Sequence, residues 1–114
     1  MATQQVAKQE WKDYLAAFSA HNQTRRVTID LENKELGEQR LVDNKPLLAI
    51  EPDIRDEYES TITLVAGDPE DGEPAALTHR INQPTAVWVK QDEQGRAEAL
   101  GIESADGRTI LQFT

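Results

Sequence analysis

The stretch Thr85–Phe113 constrains the fold more than any other. It reads T-A-V-W-V-K-Q, then the polar D-E-Q-G, then R-A-E-A-L-G-I-E, then S-A-D-G, then R-T-I-L-Q-F. Three short apolar runs are separated by two Gly-containing turns, which is the pattern of a meander of β-hairpins. Val87 and Val89 oppose Ala86 and Trp88, Leu100 and Ile102 oppose Ala97 and Ala99, and Leu111 and Phe113 oppose Ile110 and Gln112. Apolar residues on both sides of the Thr85 run predict a central strand, covered on one face by a helix.

That helix is expected at the N-terminus, from about Gln5 to about Ala20. Ala7, Trp11, Tyr14, Leu15 and Phe18 fall at i, i+4, i+7, i+8 and i+11, one apolar stripe at helical period. Lys8, Glu10, Lys12 and Asp13 lie mostly off it, and His21-Asn22 offers a polar stop. Arg25–Glu32 alternates strictly, with Val27, Ile29 and Leu31 on one side, and reads as a half-buried strand. A loop at Asn33–Glu35 leads to a more polar strand over Leu36–Val42. Asp43-Asn44-Lys45-Pro46 reads as a turn, and Leu47–Ile50 as a short apolar strand. Tyr58–Val65 and Ala76–Asn82 complete the strand-like segments, the latter with Leu77, His79 and Ile81 on one face. Pro84 separates it from the meander. The expected fold class is α+β: an N-terminal helix packed on a mostly antiparallel, twisted sheet of six or seven strands ending in a β-meander. No internal repeat or long linker divides the chain, so residues 1–114 are expected to form a single α+β domain.

Charge is unevenly placed. Residues 1–50 hold seven basic and seven acidic side chains, whereas residues 51–114 hold five against fourteen and so carry the whole net charge of -9. Neutralising phosphates requires a basic face, so neither nucleic acid nor an anionic membrane surface is an expected partner. No apolar run approaches the roughly 18 residues of a bilayer span. Met1–Gln9 lacks a basic region followed by an apolar segment, so no secretion signal is expected and the cytoplasm is the expected compartment. The absence of cysteine excludes disulfides, thiolate metal sites and cysteine nucleophiles.

The chemical inventory is sparse. His79 stands between Leu77 and Ile81 on the presumed inner face, where a neutral imidazole could serve as base or ligand, or simply pack with a hydrogen bond. Two histidines without fixed spacing do not make a zinc site, so no metal is expected. The segment Gly67–Pro74 is a loop holding Asp68, Glu70, Asp71 and Glu73, candidates for partner or cation contact. An EF-hand count from Asp68 places Gly72 at position 5 and His79 at 12, and the pattern fails. Asp53, Asp56, Glu57 and Glu59 form a second acidic cluster, read as a solvated loop. Ser19, Ser60 and Ser104 lack a nucleophile-elbow context, and no Gly-rich phosphate loop is present. No catalytic residue and no cofactor follow from the sequence, and the reading leans away from an enzyme.

Taken together, Glu10-Trp11 and Phe18, Val27-Thr28-Ile29, Leu36-Gly37, Pro46-Leu47, His79-x-Ile81-x-x-Pro84 and Asp106-Gly107 give the chain, over nearly its full length, a resemblance to a family of small uncharacterised bacterial proteins, a domain of unknown function. The resemblance implies a stand-alone α+β domain and supplies no activity. The chain departs from the pattern in having Trp88 for a Tyr-like aromatic and a longer acidic loop at Asp68–Glu73. The first functional expectation is a small cytoplasmic binding or accessory protein acting through protein–protein contacts, with a protein partner or as a homodimer. The second is a small-ligand binder or enzyme with a pocket between helix and sheet near His79, Tyr58 and Trp88.

Overall fold

A computed structural model describes residues 2–55, 59–67 and 77–114. Strand β1 (Ala2–Val6) leads through a 3-10 turn (Lys8–Glu10) into helix α1 (Trp11–Asn22). Then come β2 (Arg26–Asn33), β3 (Gly37–Asp53), β4 (Thr61–Ala66), β5 (Leu77–Asn82), β6 (Pro84–Gln91), β7 (Ala97–Ser104) and β8 (Gly107–Phe113). They form one sheet in the order β1-β6-β7-β8-β2-β3-β4-β5, and every described pairing is antiparallel. The α+β class and the closing meander β6–β7–β8 stand as expected. The described residues form eight strands, which corrects the expected six or seven.

The N-terminus accounts for part of that correction. Ala2–Val6 is a strand on β6, with Val6 opposite Val87, and the helix begins only at Trp11. The helical stripe is real from Trp11 onward, where Trp11, Leu15 and Phe18 are buried, but Ala7 is exposed and merely extends the spacing. Trp11 fixes the junction, its indole Nε1 donating to the Val6 carbonyl at 2.9 Å in a buried site. A five-residue strand whose inward side holds little besides Val6 leaves almost no alternation to read.

The second correction lies in β3. Asp43–Pro46 is not a turn between two strands but an irregularity within a single 17-residue strand. Asn44 takes φ +56°, a left-handed conformation that Asn tolerates. The extra length of chain is tied down by Arg26, which donates to the Asn44 side chain at 3.0 Å and to its carbonyl at 2.7 Å. Such a bulge bends the strand without ending it. Leu36, expected in a strand, stands 71% exposed in the turn before β3, where Asn33 Oδ1 accepts the backbone N–H groups of Glu35 and Leu36.

Because β3 is long, its first half pairs with β2 and its second half with β4, carrying the sheet around a corner. Side chains of β5 thereby reach those of β8 across the interior, although three strands lie between them in the sheet order. Ile29, Leu47, Ile62, Leu64, Val87, Val89, Leu100, Ile102 and Leu111 fill the enclosed space, all essentially inaccessible. Each such aliphatic side chain contributes about 1.5–3 kcal/mol by burial. β6 is interior to the sheet, flanked by β1 and β7, yet α1 packs principally on β3 instead. Ser19 Oγ accepts the Ile50 N–H at 2.9 Å, and Thr24 N–H donates to the Leu47 carbonyl at 2.8 Å. These bonds leave the flank of α1 nearest the β6–β7 turn uncovered.

Candidate functional site

The last turn of α1 ends in polar residues that bond backward. Asn22 Nδ2 donates to the Phe18 carbonyl at 2.8 Å, and His21 Nδ1 donates to the Ala17 carbonyl at 2.8 Å. Both bonds run back one turn, to carbonyls within α1 itself. The chain then turns through Thr24 at φ +72°, an uncommon conformation for a β-branched residue, and presents Arg25. The Arg25 guanidinium is held from two sides. Its Nη1 donates to Asn22 Oδ1 at 2.8 Å, and its Cζ lies over the Phe113 ring, 4.1 Å from the centroid. Phe113 meets Phe18 at 5.9 Å between centroids, and Phe18 meets Tyr14 at 6.1 Å. An aromatic row thus runs from helix to sheet and ends under a fixed cation.

The opposing wall is the β6–β7 turn. Asp92 Oδ1 accepts the backbone N–H groups of Gln94 and Arg96, both at 2.9 Å, and Gly95 supplies the left-handed residue at φ +82°. This closes a rigid turn that brings Arg96 toward Arg25. Between the walls lies an open cleft of about 540 Å³, with Tyr14, Ala17, Phe18 and Ala97 as its apolar lining and Arg25, Arg96, His21, Asn22 and Gln91 as its polar lining. Burial lowers the Arg25 pKa from its ordinary value, repulsion by Arg96 lowers it further, and Asp92 pulls the other way. Among the described residues no carboxylate reaches ion-pair distance of either guanidinium. Burial also raises the Tyr14 pKa, so its hydroxyl is a donor at neutral pH.

His79 occupies a different setting. It lies in β5 opposite Leu64, half-buried, with Nε2 3.3 Å from the hydroxyl of the fully buried Thr109 on β8. Burial lowers its pKa, which keeps it neutral at neutral pH. Trp88 lies on the opposite face of β6 from the buried Val87 and Val89, and its ring covers Gly101, where any Cβ would run into it. Beside it is an open depression lined by Thr3, Gln5, Ala86, Lys90 and Glu103. The structure therefore separates His79 from Trp88, one facing inward and the other outward. Tyr58, like Asp68, Glu70, Asp71 and Glu73, lies outside the described residues. Among the described residues no three His, Asp or Glu side chains converge as metal ligands would, and no helix is long and apolar enough to cross a membrane.

Arg25, Arg96, Phe113 and Tyr14 were not singled out by the sequence as a group. The only local signal was two cations flanking Gly-containing or strand-starting segments, Arg25 before β2 and Arg96 after Gly95. Their convergence depends on strand order.

One helix laid on a curled antiparallel sheet, with an aromatic cleft beside a pair of arginines, defines an α+β fold with an open cleft. The chain belongs to the family of unknown function DUF5335, whose sequence profile matches residues 2–114. It is 25% identical over 114 residues to an uncharacterized protein of the bacterium Aquifex aeolicus (strain VF5), with 99% of this chain and 93% of that protein covered. No solved structure matches the chain.

Proposed function

We propose that the protein is a small-ligand-binding domain whose site is the cleft between α1 and the β6–β7 turn. The observation that carries this reading is the cleft itself: about 540 Å³, aromatic on one wall, polar at its mouth. Those proportions match ligand sites, which are mostly apolar with a few directed polar groups. This reading keeps the helix–sheet position of the second functional expectation and moves the site from His79 to the Arg25 end. A cytoplasmic setting accords with a chain that contains no cysteine.

The test is a fragment screen read by amide and methyl NMR. Shifts confined to Ala17, Phe18 and Ala97 support the reading. An Ala17→Phe variant, altered at an exposed helix position on the cleft wall, should abolish those shifts while leaving the fold intact. Shifts mapping elsewhere, or none at about 10 mM fragment (a Kd weaker than about 3 kcal/mol of binding), would discard it.

A second reading, association through a sheet edge, is favoured by one observation. β1 ends the sheet order, and Thr3, Gln4 and Gln5 along it are exposed. Sedimentation across a concentration series tests it, and a monomer throughout would rule out a homodimer.

A further inference from the structure

From the charges around the cleft we infer that its ligand is a small organic anion with a flat apolar body, bound with its carboxylate on Arg25 and Arg96 and its body along Tyr14 and Phe18. This rests on the cleft being a ligand site and adds the chemical class.

The chain as a whole is strongly acidic, with a net charge of -9, yet this cleft gathers two guanidinium groups. Three other arginines are matched to carboxylates: Arg40 to Asp30 at 2.9 Å, Arg55 to Asp53 at 3.2 Å, and Arg108 to Glu32 at 2.8 Å. At the cleft the arrangement is reversed. Arg25 and Arg96 are near enough to repel, and Asp92, whose charge acts on Arg25 in the opposite sense, has its Oδ1 engaged by two backbone N–H groups. An anion placed between two such cations removes a repulsion as well as gaining an attraction.

Geometry narrows the class. A guanidinium carries five N–H donors in a plane, and Arg25 uses one of its five on Asn22. The Asn22 bond and the Phe113 ring below Cζ hold the group in place, which leaves four N–H donors for a bidentate acceptor and suits a carboxylate. The aromatic wall beside it favours a flat apolar body lying along the rings. The Tyr14 hydroxyl supplies a further donor for a polar substituent at the far end.

The experiment titrates the intact protein with four probes of graded chemistry: benzoate, benzamide, benzylamine and inorganic phosphate. The readouts are the Ala17 and Ala97 methyl signals and the Arg25 and Arg96 side-chain Nε–H signals. Benzoate should bind at least about tenfold more tightly than benzamide, the ratio expected for one charge-assisted contact. Phosphate should shift the arginine signals more than the methyls, and benzylamine should bind weakest. Arg96→Gln should cost benzoate about tenfold and leave benzamide unchanged, whereas Arg40→Gln, on a remote ion pair, should change neither. Arg25→Gln should behave as Arg96→Gln, provided its thermal midpoint shows that it folds. Benzamide binding as tightly as benzoate would overturn the anion class while leaving the cleft a ligand site. Phosphate alone binding would overturn the flat body. No shift with any probe would overturn both this inference and the reading beneath it.

Discussion

Two places in this molecule bring polar side chains against the apolar interior, and they are built on opposite terms. At one, His79 of β5 meets Thr109 of β8 at 3.3 Å within the curl of the sheet. Both partners are neutral and each has the other, and among the described residues no buried side-chain polar atom is left unsatisfied. At the other, Arg25 is held by Asn22 and Phe113 yet faces a second cation across open space. The first is a closed polar contact joining the edge strand β5 to the interior strand β8. The second is a prepared charge with room in front of it. A histidine on an inward face attracts functional interest in a sequence, but in this fold the unspent hydrogen-bonding capacity belongs to the arginine.

The sharpest way to break the comparison is Phe18→Ala. Phe18 is only 7% exposed and touches both Tyr14 and Phe113, so its loss removes the support of the cleft and part of the core. Stability should fall by about 3–4 kcal/mol, as for other buried Phe truncations. Urea denaturation measures the loss, and benzoate binding should vanish with it. A loss below about 1 kcal/mol would mean that the aromatic row is not packed as described.

Thr109→Val separates the two regions. The shape is kept, but His79 loses its partner, so stability should fall by about 1–2 kcal/mol. Benzoate affinity should stay unchanged, because Thr109 does not line the cleft. Thr109→Ser should recover part of the stability. If Thr109→Val weakens benzoate binding, the two regions are coupled and the contrast fails.

The same contact gives a pH dependence. The folded-state pKa of His79 lies below its unfolded value of 6.5 because burial disfavours the cation. The unfolded chain therefore binds more protons in that window, and stability decreases as pH falls. The contribution is complete above about pH 6.5 and is lost as pH falls toward the lower folded value, with a slope of at most about 1.4 kcal/mol per pH unit for one proton. Urea midpoints measured from pH 7.5 downward should show this decline in the wild type and a flatter one in His79→Gln. Identical curves would show that His79 contributes nothing to it.

How much of this was legible beforehand depends on distance along the chain. The meander and the stripe Trp11–Phe18 repeat within a few residues, so their periodicity is visible without knowing the fold. β1 escaped because its meaning comes from β6, more than eighty residues later: Val6 is a strand residue chiefly because Val87 lies opposite. Asp43-Asn44-Lys45-Pro46 reads as a turn but forms a bulge within β3, because a bulge and a turn use the same amino acids. The cleft draws on three segments, α1 with Arg25, the β6–β7 turn, and Phe113 at the end of β8. Only the strand order brings them together.

Backbone strain supplies the finest test of the contrast. Among the described residues three non-glycine positions have positive φ: Thr24 at 72°, Asn44 at 56° and Gln83 at 52°. Asn is common in that region, but a β-branched residue is crowded there, and Thr24 is the residue that delivers Arg25 to the cleft. The β5 strand that carries His79 holds no such outlier. Thr24→Gly removes the crowding and also loosens the unfolded chain, so the two effects partly offset and stability should rise by only about 0.5 kcal/mol. Affinity for benzoate should fall about two- to threefold, since a glycine at 24 allows Arg25 to leave the geometry fixed by Asn22 and Phe113. A more stable variant with unchanged affinity would show that Asn22 and Phe113 alone hold the arginine. A less stable one would show that the Thr24 conformation is not strained, and that the cleft carries no more stored cost than the interior contact.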